Sequence, residues 1–210
     1  MAAVRHAAVE VDRSLLPAAI AARPTIAVAG ADEVGRGCLA GPLVVAACLI
    51  PEGVTLPPIR DSKAMSAKAR AAAAAVIRER CHLSIVEISA PEIDRLGINE
   101  ANRLAFERAL LGLAGPIDAA LVDGLLRLEG LPYPVISVVQ GERFLPVAAA
   151  SIVAKEHRDA LMAAIDAAHP GRGFASAGYP SPANIEALRR HGPTEHHRAS
   201  FKVKALHPAA

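Results

Sequence analysis

The sequence predicts an α/β fold, with a mixed five-stranded sheet flanked by helices and a helical extension at the C-terminal end. Five short apolar segments alternate with longer segments of helical periodicity, a pattern typical of layered sheet-and-helix domains. Parallel neighbours need a long crossover, and only one predicted helix separates the first three strands, so the sheet is expected to be mixed. The 210 residues favour a single domain, with a core over 24–168 and the extension over 169–210.

The predicted strands are short and mostly apolar. The first two are continuous apolar runs on either side of a glycine-rich loop, and the third alternates apolar residues with Ser84 and Glu87. The fourth is a short buried strand that ends at Asp123. In order, the five strands are predicted at 25–29, 43–50, 83–89, 119–122 and 135–139.

The predicted helices are bounded by capping residues and helix breakers. Ser66 precedes a segment with five consecutive alanines, a sequence that forms a helix readily. Gly115 and Pro170 follow the ends of two later helices. The helices are predicted at 13–22, 67–80, 91–97, 98–113, 147–168 and 183–191, and residues 1–10 are expected to form a weakly held arm.

Composition narrows the class of protein. The net charge of +2 and the pI of about 8.6 are mildly basic and do not by themselves indicate a nucleic-acid-binding protein. Cys38, Cys48 and Cys81 are odd in number and match no zinc motif, so free thiols in a reducing compartment are expected. No apolar run is long enough for a membrane span, and the N-terminus lacks a signal-peptide core. A cytoplasmic protein that does not bind membranes is therefore predicted.

Two adjacent carboxylates follow the first predicted strand. Asp32 and Glu33 precede the tight segment Gly35-Arg36-Gly37. Neighbouring side chains on a strand point to opposite faces, so we expect the strand to end or bend here if both carboxylates serve one site. The glycines permit such a turn and the close approach of a ligand. A charged hairpin turn would explain the same residues.

Two further carboxylates occupy comparable positions. Asp123 ends an apolar strand and is followed by glycine, although an aspartate there can simply begin a turn. Ser151, Lys155 and Asp159 fall at i, i+4 and i+8, along one face of the long helix. A Lys–Asp pair is usually a solvated surface pair, but this one follows a run of apolar residues that we expect to face the core.

Together, Asp32, Glu33, Asp123 and Asp159 would form a cluster of oxygen ligands suited to Mg²⁺ or Mn²⁺. Two such ions can activate water and stabilise the leaving oxygen in phosphodiester hydrolysis. Cysteine and histidine are not arranged for zinc, because the adjacent pair His196-His197 has a spacing poorly suited to one metal ion.

The motifs of the chain resemble those of ribonuclease HII, in order and from about residue 26 to 203. The matching segments are Asp32-Glu33-Val34-Gly35-Arg36-Gly37 with Gly41-Pro42, Asp61-Ser62-Lys63, Val122-Asp123-Gly124, Ala149 to Lys155, Arg158-Asp159, Gly178-Tyr179-Pro180, and His197-Arg198 with Ser200-Phe201. The resemblance implies a ribonuclease H-like fold. It also implies a metal-dependent endonuclease that cuts the RNA strand of RNA/DNA hybrids and cuts 5′ to ribonucleotides embedded in duplex DNA, in ribonucleotide and RNA primer removal.

The resemblance also implies roles for individual residues. The four carboxylates would hold the metals, Gly35, Arg36 and Gly37 would contact the nucleic acid at the ribonucleotide, and Tyr179 would stack on the neighbouring sugar. Cleavage would leave a 3′-hydroxyl and a 5′-phosphate, and the enzyme is expected to be a monomer. The predicted substrate-binding residues are Gly35, Arg36, Gly37, Ser151, Lys155, Tyr179 and Arg198.

The chain departs from the family pattern in two places. Gln140-Gly141-Glu142 stands where the family often has Lys-Gly-Asp, and Asn184 stands where a histidine is common. Two alternatives keep part of the interpretation: a junction resolvase-type nuclease with the same metal chemistry, and a non-catalytic nucleic-acid-binding protein. A dinucleotide-binding loop is excluded, because the glycine spacing is G-x-G-x-x-x-G and a strand follows where a helix is required.

Overall fold

In a computed structural model, which describes residues 10–202, the chain forms one five-stranded sheet in the order β3-β2-β1-β4-β5. The strands are β1 (Val28–Val34), β2 (Leu43–Leu49), β3 (His82–Ile88), β4 (Ala119–Asp123) and β5 (Val135–Val138). β1, β2 and β3 pair antiparallel, whereas β4 pairs parallel with both β1 and β5. The predicted mixed sheet is confirmed. The carboxyl ends of β1, β4 and β5 meet at one edge.

Helices cover both faces of the sheet. They are α1 (Ala18–Ala21), α2 (Ala67–Arg80), α3 (Ala90–Leu96), α4 (Ile98–Leu111), α5 (Leu145–Ala168) and α6 (Pro182–His191). One core packs α3 and α4 against Ala29, Ala31 and Val45, and a second packs α2 and α5 against the opposite face. A Cβ on Gly30 would lie 2.3 Å from the backbone of Pro146 and Val147, so α5 begins in direct contact with β1.

Two local predictions were wrong. The first strand was predicted at 25–29, but β1 runs from Val28 to Val34, past both carboxylates, because Val34 pairs with Val44 of β2 and the antiparallel ladder extends past the end of β4. The helix predicted over 13–22 is interrupted by Pro17, which lacks a backbone donor. A 3₁₀ turn, Arg13–Leu15, and the single turn of α1 take its place. Of the predicted N-terminal arm, residues 1–9 lie outside the described part of the chain.

The C-terminal segment folds back onto the loop between β1 and β2, residues 35–41, called here the glycine loop. The Leu39 amide donates to Gly178 O at 2.8 Å, and the Gly41 amide donates to His196 O at 2.8 Å. The Arg198 amide donates to Leu39 O at 2.9 Å. Distant parts of the sequence thus fix this loop in place. Among the described helices, none has the length and apolar character needed to cross a membrane.

Candidate active site

Three of the predicted carboxylates lie at the carboxyl edge of the sheet. The parallel register pairs Ala31 with Val122, and the next step along both strands brings Asp32 beside Asp123. Asp32 Oδ1 accepts from the Glu33 amide at 2.8 Å. β4 ends at Asp123 while β1 continues to Val34, so Asp32 lies level with the end of β4 and Glu33 lies on the part of β1 that extends past it. Asp32, Glu33 and Asp123 interact electrostatically with one another although β1 continues through the first two. These three carboxylates are called here the carboxylate rim.

The electrostatics of this rim favour a cation. Asp32 is only 8% exposed. Burial raises its pKa to about 7, and the negative charges of Glu33 and Asp123 add to the effect, while a hydrogen bond from Ser151 opposes it. Burial also raises the pKa of Glu33, again with a contribution from Asp123. A divalent cation would relieve this repulsion, and a donor set made only of carboxylate oxygens fits Mg²⁺ or Mn²⁺.

The structure places Asp159 elsewhere. It forms ion pairs with Lys155 at 2.5 Å and with Arg70 at 3.5 Å. It lies eight residues beyond Ser151, the α5 residue that contacts Asp32, which corresponds to about 12 Å along a helix axis. No hydrogen bond or ion pair described for Asp159 joins it to the three clustered carboxylates.

Glu142 is a carboxylate that the sequence interpretation overlooked as a ligand. It lies in the 3₁₀ turn Gly141–Arg143, directly after β5 and at the same edge of the sheet as Asp123. The Gly141 amide donates to Asp123 Oδ1 at 2.6 Å, so this turn is joined to the carboxylate rim. Glu142 is partly exposed. The signal that singled out Asp123, an acidic residue after an apolar strand, was also present here.

Arg198 supports the glycine loop from inside. Its guanidinium donates to Gly35 O at 2.7 Å, to Arg36 O at 2.9 Å and to Gly41 O at 2.9 Å. The residue is only 3% exposed, and burial lowers its pKa to about 10, which leaves it charged at neutral pH. The described donors of Arg198 are directed to loop carbonyls, so the residue supports the loop from inside, and its predicted contact with substrate stays a prediction.

A second arginine, to which the sequence interpretation gave no role beyond its place in the Arg158-Asp159 segment, holds the other side of the loop. Arg158 is fully buried and donates to Ala40 O at 3.1 Å, to Pro42 O at 2.9 Å and to Ala177 O at 2.9 Å. A Cβ on Gly35, whose φ is +87°, would lie 2.1 Å from Arg158 Nε. Gly35 is thus required by packing as well as by its backbone conformation.

Ser151 and Lys155 have different surroundings on α5. Ser151 is buried, lies 3.0 Å from Ser62 through the two hydroxyl oxygens, and hydrogen-bonds to Asp32. The hydroxyl of Ser151 thus supports a carboxylate of the rim, and its predicted contact with substrate stays a prediction. Lys155 keeps partial exposure while paired with Asp159.

The C-terminal extension carries Tyr179 to the glycine loop. Its ring lies 5.9 Å from the Arg158 guanidinium carbon, and its hydroxyl and the Cys38 thiol share a hydrogen bond. The residue is 42% exposed. A Cβ on the preceding Gly178 would lie 2.3 Å from Ala40 O, so the two loops are in direct contact.

Asn184, one of the two departures from the family pattern, lies inside the protein. It is fully buried on α6, and neither of its side-chain polar atoms has a partner in the described part of the chain. A Cβ on Gly173 would approach its Cα to 2.8 Å, so Asn184 packs beneath the segment that precedes Tyr179. This departure affects internal packing.

Replacement of Arg198 by methionine is expected to destabilise the protein by about 2–4 kcal/mol, because three loop carbonyls lose a charged donor in a buried position. Urea unfolding measures the loss. Arg190, which is exposed and pairs with Glu186 on α6, provides the control: Arg190→Met should leave the free energy of unfolding nearly unchanged. Equal stability of Arg198→Met and the parent would contradict the positioning role.

Comparisons with known proteins identify close relatives. The family model described as Ribonuclease HII matches residues 29–204. A ribonuclease HII of Rhodospirillum rubrum is 50% identical over 182 residues, covering 83% of each chain. One of Ruegeria pomeroyi is 44% identical over 190 residues, covering 90% of this chain and 81% of the relative. The ribonuclease HII structure in a PCNA complex from Archaeoglobus fulgidus superposes with a TM-score of 0.69 at 25% identity, over 85% of this chain and 96% of that one.

Proposed function

The chain belongs to the ribonuclease HII family, and we propose that this endoribonuclease H cuts on the 5′ side of ribonucleotides in duplex DNA and hydrolyses the RNA strand of RNA/DNA hybrids. The observation that carries the proposal is that Asp32, Glu33 and Asp123 cluster next to the glycine loop in the chain. The C-terminal segment that contains Tyr179 is hydrogen-bonded to that loop. A carboxylate rim of this kind accounts for hydrolysis, and the loop accounts for recognition of a sugar.

The metal site is proposed to consist of Asp32, Glu33, Asp123 and a fourth carboxylate. Asp159, the fourth ligand predicted from sequence, is engaged by Lys155 and Arg70. Glu142 is better supported, because its turn donates a hydrogen bond to Asp123 and because it lies at the carboxyl edge that carries the other three. Mg²⁺ or Mn²⁺ is the proposed class of ion, since all four donors are carboxylate oxygens.

Divalent cations bound to these carboxylates would supply the positive charge that hydrolysis of a phosphodiester requires at the attacking and leaving oxygens. The protein's own part is to hold the ligands. Gly141 orients Asp123, and Ser151 with Ser62 orients Asp32. Attack by water leaves a 3′-hydroxyl and a 5′-phosphate as the proposed products. A 2′,3′-cyclic phosphate product would contradict this proposal.

Recognition of the ribonucleotide is assigned to the glycine loop. Gly37 is exposed, and a Cβ built there meets nothing within 4 Å, so packing within the protein does not require a glycine at this position. An approaching ligand would explain it. The 2′-hydroxyl distinguishes RNA from DNA, and main-chain groups bare of side chains can reach it closely. Arg36, exposed and hydrogen-bonded to Asn99 at 2.9 Å, is available to a neighbouring phosphate.

Tyr179 is proposed to contact the sugar that follows the ribonucleotide. Its ring is partly exposed, Gly178 packs directly against Ala40 of the glycine loop, and the Tyr179 hydroxyl contacts the thiol of Cys38, the residue next to Gly37 in the chain. A hydroxyl on that next sugar would press into the ring, which favours a deoxyribose there and hence a junction from RNA to DNA. The selection of a lone ribonucleotide follows from the two contacts together.

Tyr179→Ala is expected to lose about ten- to hundredfold in cleavage of a duplex with one embedded ribonucleotide, because stacking on one residue contributes about 1–3 kcal/mol. The loss on a long RNA/DNA hybrid should be clearly smaller. Single-turnover rates on the two substrates, with Mg²⁺ at saturation, measure the difference.

Tyr179→Phe is the matched control for the ring, and it should cleave both substrates nearly as fast as the parent. If Tyr179→Ala slows both substrates by the same factor, Tyr179 is a general contact and the junction-reading proposal is wrong. A four-way DNA junction, tested in the same assay, distinguishes the proposed ribonuclease from a junction resolvase. Efficient cleavage of the junction without cleavage of either ribonucleotide substrate would overturn the proposed function itself.

A further inference from the structure

A group of three metal-ligating side chains lies outside the carboxylate rim, at the end of α5. His169, Glu195 and His196 place their potential ligand atoms within 4.8 Å of one another, and among residues 10–202 no other set of three meets this criterion. Both histidines direct Nε2 towards the same carboxylate oxygen, Glu195 Oε1, at 3.7 Å and 3.8 Å. Two imidazoles and one carboxylate form a donor set typical of transition-metal sites.

The two imidazoles are held in place by aromatic packing. Their rings lie 5.1 Å apart at 73°, and each lies 6.0 Å from the ring of Phe174, which is almost completely buried. The backbone also fixes both residues, since the His169 amide donates to Ile165 O at 3.0 Å and His196 O accepts from the Gly41 amide. The nitrogen ligands are therefore preorganised, which lowers the cost of ordering them on binding.

Glu195 supplies the adjustable ligand. Its side chain is 68% exposed, so it can move without disturbing the core. Ligands about 2.0–2.2 Å from a tetrahedral ion lie roughly 3.3 Å from one another. The two separations from Glu195, 3.7 and 3.8 Å, need to close by only a few tenths of an ångström, and all three ligand atoms lie within 4.8 Å of one another. Solvent can occupy the fourth position.

We propose that His169, Glu195 and His196 form a binding site for a divalent transition metal ion, with Zn²⁺ as the best match to two imidazoles and a carboxylate. From the sequence alone, a zinc site was not expected, because the adjacent residues His196 and His197 are poorly spaced to bind one ion. The fold corrects this: His197 turns away, is buried and accepts at Nδ1 from the Thr194 amide at 3.0 Å, and the second imidazole comes from His169 instead.

The site would join the end of α5 to the segment that supports the glycine loop. His196 accepts from Gly41, and Arg198, two residues further on, donates to three loop carbonyls. An ion bridging His169 and His196 therefore restrains the segment that positions substrate-facing residues. This metal is separate in place and in chemistry from the Mg²⁺ or Mn²⁺ of the carboxylate rim, which offers oxygen donors alone.

The test is zinc binding by the full chain, measured by equilibrium dialysis and by thermal unfolding in the presence of about 10 mM Mg²⁺ to occupy the carboxylates. We expect one zinc per chain and a melting temperature that rises with zinc concentration, since an ion that binds only the folded state stabilises it. His169→Ala and Glu195→Gln should each weaken binding by more than about tenfold. Glu195 is exposed, so Glu195→Gln tests the site even if a histidine variant folds poorly.

Two controls locate the ion. His191→Ala, which removes an exposed histidine of α6, should bind zinc like the parent. Asp32→Asn/Asp123→Asn should also retain the zinc. Cobalt substitution provides an independent readout, because nitrogen and oxygen ligands give visible bands without the strong near-ultraviolet absorption of thiolate ligands. Zinc binding that is unchanged in His169→Ala and Glu195→Gln, that is lost with the carboxylate rim, or that shows thiolate absorption would overturn the proposal.

Discussion

Asp32→Asn is expected to reduce hydrolysis by about a thousandfold or more, which corresponds to about 4 kcal/mol in the activation barrier. The substitution removes one ligand charge from the carboxylate rim and barely changes the volume of a residue that is nearly fully buried. Single-turnover cleavage of a duplex with one ribonucleotide, across a series of Mg²⁺ concentrations, measures the loss. Activity equal to that of the parent would remove Asp32 from the mechanism.

The same variant carries an internal control for folding. In the metal-free folded protein, burial and neighbouring charges keep Asp32 protonated up to about pH 7, whereas an unfolded chain releases this proton near pH 3.8. The contribution of Asp32 to the free energy of unfolding therefore falls as pH rises from about 4 to about 7. With chelator present, Asp32→Asn should be more stable than the parent, and its advantage should be larger at pH 8 than at pH 5 by about 3 kcal/mol.

Urea unfolding at the two pH values decides this point. Saturating Mg²⁺ should reduce or reverse the advantage, because the cation stabilises the ionised carboxylate of the parent. An inactive variant that is less stable than the parent at pH 8 in chelator would mean that Asp32 is not strained by its surroundings, and the electrostatic description of the rim would fail.

Glu142→Gln is expected to lose about a hundredfold or more in cleavage rate, whereas Asp159→Asn should lose less than about tenfold. Glu142 follows the strand beside Asp123, and its turn is hydrogen-bonded to that carboxylate. Asp159 already has two cationic partners in Lys155 and Arg70. Both substitutions remove one negative charge and keep the side-chain shape, so each serves as the control for the other.

A second measurement separates ligand loss from a general defect. Mn²⁺ affinity, measured by calorimetry without nucleic acid, should fall clearly in Glu142→Gln and stay near the parental value in Asp159→Asn. The reverse order in both rate and affinity would restore Asp159 as the fourth ligand and exclude Glu142.

The sequence predicted most of the fold because its signals are local. Apolar runs marked the five strands, and Ser66 with the alanine segment marked α2, whose observed bounds Ala67–Arg80 match the prediction. The end of β1 was misjudged, because strand length depends on whether a neighbour continues the ladder, and β2 does so as far as Val34. Pro17 similarly broke a predicted helix that had no tertiary support.

The site was only partly predictable for the same reason. The sequence by itself indicated the chemical class of the rim, since Asp32, Glu33 and Asp123 lie towards the carboxyl ends of two apolar strands that are parallel neighbours. Only the tertiary structure assigned Arg198 to the glycine loop carbonyls, placed Glu142 near Asp123, and brought His169 to His196. These pairings join positions far apart in the chain, and periodicity and spacing report only on neighbours along it. Which distant side chains share one environment is decided by the packing of α5 and the C-terminal segment against the sheet.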